Sequence, residues 1–210
     1  MLQNLRILLS ALLFVYFLGL SKHLVAEEIF QQGDHCLAYQ TEETILLVFD
    51  LVVVGKTCEI SARVKREGEN TRFVVSFPIR SLDSGIGMRA EDVNDILSVE
   101  SQPDIRFVSD FLTWQQIRSA LTQGTTKLAG VLEVAGKSHK VLFPLILSKQ
   151  SGKWLVTGKL VTSFTDFGLE LPALLWGVVA DYPDYLELLV HLRFEQVQGL
   201  AELQAASMSQ

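Results

Sequence analysis

The sequence predicts an all-β fold, an antiparallel barrel or sandwich of about eight strands carrying one to three short helices. Three observations predict it. Apolar residues recur every second position in several segments, the period of a half-buried strand. Turn residues separate these segments at short intervals. The 210 residues are 49% hydrophobic and 20% charged, enough apolar material for a substantial core. No internal repeat or linker divides them.

Met1–Leu20 reads as a secretory signal rather than as a first structural element. Arg6 supplies the positive end, and Ile7–Leu20 is apolar apart from Ser10 and Gly19. That run is short for a bilayer core, which takes roughly 20 residues. Leu24-Val25-Ala26 and Gly19-Leu20-Ser21 both offer small residues for cleavage; the cut after Ala26 is preferred, and an uncleaved anchor is the alternative. The expected organisation is a signal peptide at 1–26, one β domain at 27–198 and a flexible tail at 199–210. The expected location is the periplasm or the secreted space. Loss of Arg6 and Lys22 leaves 16 basic against 24 acidic side chains, a net −8. So acidic a chain lacks the basic face that a nucleic-acid binder needs.

The first expected strand is Thr44–Val54, an almost continuous apolar run rich in β-branched residues. Cys58, Ile60, Ala62 and Val64 alternate with polar residues, which points Cys58 towards the core. Lys65–Asn70 is a charged turn. Phe73, Val75, Phe77 and Ile79 then share one face of a strand over Thr71–Ile79. Ala90–Ser98 has the apolar spacing of a short helix. Asp104–Asp110 returns to strand. Thr113–Thr122 reads as a second helix, with Thr113 as N-cap and Gly124 as stop. Lys127–Val134 and His139–Leu147 form a hairpin about Ala135–Ser138, and Trp154–Ser163 follows another turn. Pro172–Val179 suits a third short helix, starting at a proline. Leu186–Val197 places Leu188, Val190, Leu192 and Phe194 on one face.

Chemical motifs are sparse. Gly136-Lys137-Ser138 resembles the end of a phosphate-binding loop, but the glycine that should precede it by four residues is missing and the segment joins two strands. His35, His139 and His191 lack zinc spacing and read as solvated, and no metal or cofactor is expected. Asp181, Asp184 and Glu187 read as a solvated acidic loop. No Gly-x-Ser-x-Gly is present, so no catalytic residue is assigned and the chain is not expected to be an enzyme. Cys36 and Cys58 would meet an oxidising compartment after export. They are candidates for a disulfide or for two separate buried thiols.

Four segments, in order, resemble one family. Ser81-Leu82-Asp83-Ser84-Gly85 leads through Arg89 into a helix. Gln102-Pro103-Asp104-Ile105-Arg106-Phe107-Val108-Ser109 begins the next strand. Leu128–Val141 is a hairpin with a Gly-x-Leu-x-Val-x-Gly-Lys pattern. Asp166-Phe167-Gly168 closes a turn. Together they are similar to the YceI-like family, over roughly Gln40–Val197. The resemblance implies a lipocalin-like antiparallel barrel that binds polyisoprenoid lipids. Departures fall in loops: Arg89-Ala90 replaces Arg-Asp, Gln102 replaces a tyrosine, Ser163-Phe164 replaces a charge, Leu112–Gly124 is long, and Leu169–Ala180 is unusually apolar.

A barrel of about eight strands either fills with side chains or holds one small ligand. The expected inward set is Phe73, Phe77, Phe107, Leu132, Phe143, Trp154, Leu188 and Leu192, walls for an isoprenoid or fatty amphiphile. Arg89 and Asp166 are the polar candidates for its mouth, Asp166 being equally suited to capping a turn. The ligand class makes transient membrane contact an expectation. Two other readings stand beside the lipid carrier: a filled barrel that binds a partner through Leu171–Trp176, and a lipid-directed hydrolase.

Overall fold

In the computed structural model the chain divides into two compact units, Met1–Gln32 and Gly33–Gln210. The structure describes residues 29–45, 49–85, 87–171, 180–181 and 183–200, with backbone alone at 45, 49–50, 87–90 and 180–181. The expected signal peptide, the third helix and most of the tail lie outside the described residues. Among the described residues no helix is long and apolar enough to cross a membrane.

The second unit is one curled antiparallel sheet. In chain order its strands are β1 (Cys36–Ile45), β2 (Phe49–Thr57), β3 (Ser61–Glu67), β4 (Asn70–Pro78), β5 (Asp104–Ser109), β6 (Leu112–Thr113), β7 (Thr125–Val134), β8 (Lys137–Gln150), β9 (Lys153–Thr162), β10 (Ala180–Asp181) and β11 (Leu186–Arg193). Among the described residues two α-helices interrupt them, α1 (Gly87–Ile96) and α2 (Trp114–Gln123). Across the sheet the order is β2, β1, β11, β9, β8, β7, β5, β4, β3. The short β10 pairs with the end of β1, and β6 with the start of β4.

Among the described residues the sheet has nine strand positions, in keeping with the expectation of about eight. The strand not anticipated is β1. Its Gln40, Thr41, Glu42 and Glu43 put polar residues on both faces, so no alternation marks it. The expected strand Thr44–Val54 is in fact a hairpin: β1 ends at Ile45 and β2 begins at Phe49, with Ile45 opposite Phe49. Among the described residues no ladder joins β2 to β3. On the β2 side Lys56 and Asp83 exchange backbone hydrogen bonds; on the β3 side the Val64 amide donates to the Gln198 carbonyl and the Gln198 amide to the Ala62 carbonyl.

Turn chemistry sets the register elsewhere. Ala135 and Gly136 both adopt positive φ, as a two-residue hairpin turn requires, and Ser151 and Gly152 repeat the pattern. On β8 the side chains alternate cleanly: His139, Val141, Phe143, Leu145 and Leu147 are half-buried, and their neighbours from Ser138 to Ile146 are exposed.

Two apolar clusters close the curled sheet at opposite strand ends. At one, Val134, Phe164, Phe167, Leu169 and Leu186 pack with Ile96 and Leu97 at the end of α1. At the other, Ile117 of α2 and Leu200 pack with Phe73, Leu112, Phe194 and Val197. Leu200 was expected at the start of a frayed tail. It is buried, because Gln198 pairs with β3 and carries the chain back across the sheet.

Cys36 and Cys58 form a disulfide, tying the start of β1 to the connection between β2 and β3. Cys58 itself is exposed and precedes β3, contrary to the core position expected from alternation. The alternating pattern was real for Ala62 and Val64 but did not extend back to Cys58.

Candidate functional site

Between the two clusters lies a cavity of about 980 Å³. Strand parity explains its walls. On β4 and β5 the inward residues are Phe73, Val75 and Phe77, then Ile105 and Phe107. On β7 and β8 they include Leu128, Leu132, Val141 and Phe143; on β11 they are Leu186, Leu188, Val190 and Leu192. Seven of the eight residues expected inside, Phe73, Phe77, Phe107, Leu132, Phe143, Leu188 and Leu192, line this cavity.

Trp154 does not line it. It stands two residues beyond the Ser151–Gly152 turn, and the Lys149 ammonium lies 4.9 Å from its ring centre. Period-2 parity is right for Trp154, but the strand has already run past the end of the cavity.

Small residues make room for the aromatic walls. A Cβ on Gly130 would sit 2.7 Å from the Phe107 ring, and one on Gly55 would sit 2.1 Å from the Tyr39 ring. Tyr39 is the cross-strand partner of Gly55, and Phe107 lies diagonally across from Gly130, so glycine leaves room for each ring.

α2 closes its end because it starts and stops firmly. The Thr113 hydroxyl accepts from the Gln116 amide at 3.3 Å, and Gln116 Oε1 accepts from the Thr113 amide at 2.8 Å. This reciprocal box satisfies two amides that the first turn leaves unpaired. Gly124 ends the helix in the left-handed region at φ 71°. Gln116, Ser119 and Gln123 bring polar groups to this end of the cavity.

The family-like loop residues turn out to lock loops. Asp83 accepts from the Gly85 amide at 2.7 Å, and Ser81 shares a hydrogen bond with the Thr57 hydroxyl at 2.7 Å. Gln102 accepts from the Gly136 amide and donates to the Asp104 carbonyl, so it clips the β7–β8 turn to the start of β5. Lys137 donates to the Gly168 carbonyl at 3.1 Å. Asp166 accepts from the Thr162 hydroxyl at 2.9 Å and from the Ser163 amide at 3.1 Å. Hydrogen bonds from Thr162 and Ser163 hold its carboxyl below the usual carboxylate range. Asp166 thus caps a turn and does not line the cavity. Arg89 falls on α1, with its side chain outside the described residues.

The histidines expected in solvent are sheltered. His35 Nδ1 accepts from the Arg193 amide at 3.0 Å, and His191 Nδ1 lies 3.0 Å from the Asp34 carbonyl. His139 packs edge-on against Phe167. Glu187, expected in a solvated loop, is buried; Lys159 and the Tyr185 hydroxyl both donate to it. The hydrogen bond to Glu187 pushes the Tyr185 hydroxyl up to about 12. Sequence reading missed this trio because Lys159 and Glu187 meet only across the β9–β11 pairing. Among the described residues no group of three His, Cys, Asp or Glu is placed to hold a metal.

Residues 40–195 match the YceI-like domain. The chain belongs to the YceI-like domain family. Its curled sheet resembles the crystal structure of Burkholderia cenocepacia BcnA at 17% identity and a TM-score of 0.52, covering 74% of this chain and 95% of that one. It also resembles a polyisoprenoid binding domain from Saccharophagus degradans implicated in plant cell wall breakdown. There the identity is 10% and the TM-score 0.51, covering 74% and 92% of the two chains. No curated protein matches the sequence. At these identities the likeness to both structures is one of fold.

Proposed function

We propose that this YceI-like protein is an exported lipid carrier that holds an isoprenoid or similar long-chain amphiphile inside the sheet. The observation that carries the reading is the apolar cavity of about 980 Å³, at the upper end of the usual range for ligand pockets. A filled barrel has no such space. Each buried methylene contributes about 0.8 kcal/mol, so a long tail binds well with few polar contacts. The polyisoprenoid binding domain that shares the fold supports the ligand class. The apolar stretch Ile7–Leu20 and the Cys36–Cys58 disulfide support export into the periplasm or secreted space. The reading assigns binding, not catalysis.

The test is native mass spectrometry of protein taken from its own compartment, followed by extraction of whatever is bound. A discrete excess mass that extracts as one amphiphile class is the expected result. A bare polypeptide mass that gains nothing from added prenols would remove the carrier role. Phe107→Arg places a charge against the cavity wall. It is expected to abolish prenol uptake while circular dichroism stays that of a β protein, and undiminished uptake would take Phe107 off the binding wall.

A further inference from the structure

The sheet has an open seam between β8 and β9. The two strands pair only from Leu145–Gly158 to Gln150–Lys153. Above that, Lys137–Pro144 is laddered to β7 alone and Lys159–Thr162 to β11 alone. Pro144 stands where the ladder stops and has no N–H to extend it. The far end of the seam is plugged by the turn after β9, through the Lys137–Gly168 hydrogen bond and the His139–Phe167 contact. Pro144 and Lys159, which flank the seam, face outwards by parity, yet they belong to the cavity lining. The cavity therefore reaches the outer surface here.

The surface around the seam has a consistent chemistry. Leu142 is 50%, Ile146 56% and Val161 55% exposed, with Leu142 and Val161 on its two borders. Lys127, Lys140 and Lys159 are the charged residues of Thr125–Val131, Lys140–Ile146 and Thr157–Val161, which contain no Asp or Glu. Lys159 is paired with Glu187. Among the described residues neither Lys127 nor Lys140 has an ion-pair partner. A basic, apolar face on a chain of net charge −6 complements an anionic bilayer.

Resting on the carrier reading, we propose that this seam is a lateral portal that docks on an anionic phospholipid bilayer. Leu142 and Val161 enter the headgroup region, Lys127 and Lys140 meet lipid phosphates, and the tail passes between β8 and β9.

The test uses the full protein carrying an environment-sensitive fluorophore at Leu142→Cys, Val161→Cys or, as a control, Glu69→Cys in the exposed β3–β4 turn. Each is mixed with vesicles of phosphatidylcholine alone or of phosphatidylcholine with phosphatidylglycerol. Emission is expected to rise at Leu142 and Val161 with the anionic vesicles, to fall back in high salt, and to stay unchanged at Glu69. Lys140→Glu, which lies outside the cavity lining, is expected to weaken that vesicle binding by about 5-fold or more. It should slow prenol uptake from vesicles while leaving uptake from detergent solution intact. Silence at Leu142 and Val161, or an equal response at all three labels, would overturn the docking face. So would a response that grows with protein concentration without vesicles, which marks a contact between two copies. Native mass spectra of the same samples separate the two claims. Retained amphiphile with no vesicle response removes the portal alone, whereas no amphiphile in any sample removes the carrier reading and the portal with it.

Discussion

Tyr39 lies over Gly55 because the two are cross-strand partners and glycine alone leaves room for the ring. Gly55→Val forces the ring off the wall and into the cavity. The expected cost is about 1–3 kcal/mol, read as a lower denaturation midpoint, and an unchanged midpoint would mean the ring moves freely. His35 makes a second residue-scale prediction. Burial pushes its pKa below 6.5; nearby Glu195 opposes this and His191 adds to it. The geometry agrees, since Nδ1 must be unprotonated to accept from the Arg193 amide. Above about pH 6.5 the ring is neutral both folded and unfolded. Below it the unfolded ring binds its proton first, so stability falls as pH falls through and below 6.5. Thermal midpoints from pH 7.5 down to 5 should show this slope, and His35→Gln should flatten it. At this scale the aromatic walls were legible, because Phe73, Phe77 and Phe107 announce themselves by period. The sheltering of His35 was not, because its partner lies 158 residues away.

Elements were legible where local chemistry decides them. α2 follows from Thr113, Gln116 and Gly124, each satisfying a helix end within a few residues of sequence. Thr113→Ala should cost about 1 kcal/mol of stability, measured by chemical denaturation. Because Ile117 on α2 closes one end of the cavity, the same change should also speed release of a bound prenol. Faster unfolding with unaltered release would separate the helix from the gate. β1 was not legible. Thr41 donates to the Tyr185 carbonyl, and Glu43 is buried on the inward face of a strand whose polar residues gave no period. Its pairing depends on β2 and β11, so the register is tertiary information. The division of Thr44–Val54 between β1 and β2 was hidden for the converse reason, since the sequence stays apolar from Ile45 to Phe49.

At the scale of the molecule, the two end clusters turn a curled sheet into a container of finite length. A cavity of about 980 Å³, at about 30 Å³ for a water-sized group, holds on the order of 30 heavy atoms. This corresponds to about six isoprene units of five carbons each. Up to that length every added unit buries its methylenes and methyls, and affinity should climb steeply at about 0.8 kcal/mol per buried carbon. Beyond it the next unit must displace a cluster or stay in water, so the climb should stop. A series of prenols from farnesol upwards, measured by competition for the cavity, should show affinity rising and then levelling near this length. A bulkier wall shortens the container: Leu132→Trp should move the plateau to shorter chains without changing the initial slope. An affinity that keeps rising with chain length would mean that the ligand threads through an opening, with the β8–β9 seam the first place to look. An affinity indifferent to length would mean that the headgroup, not the cavity, does the binding.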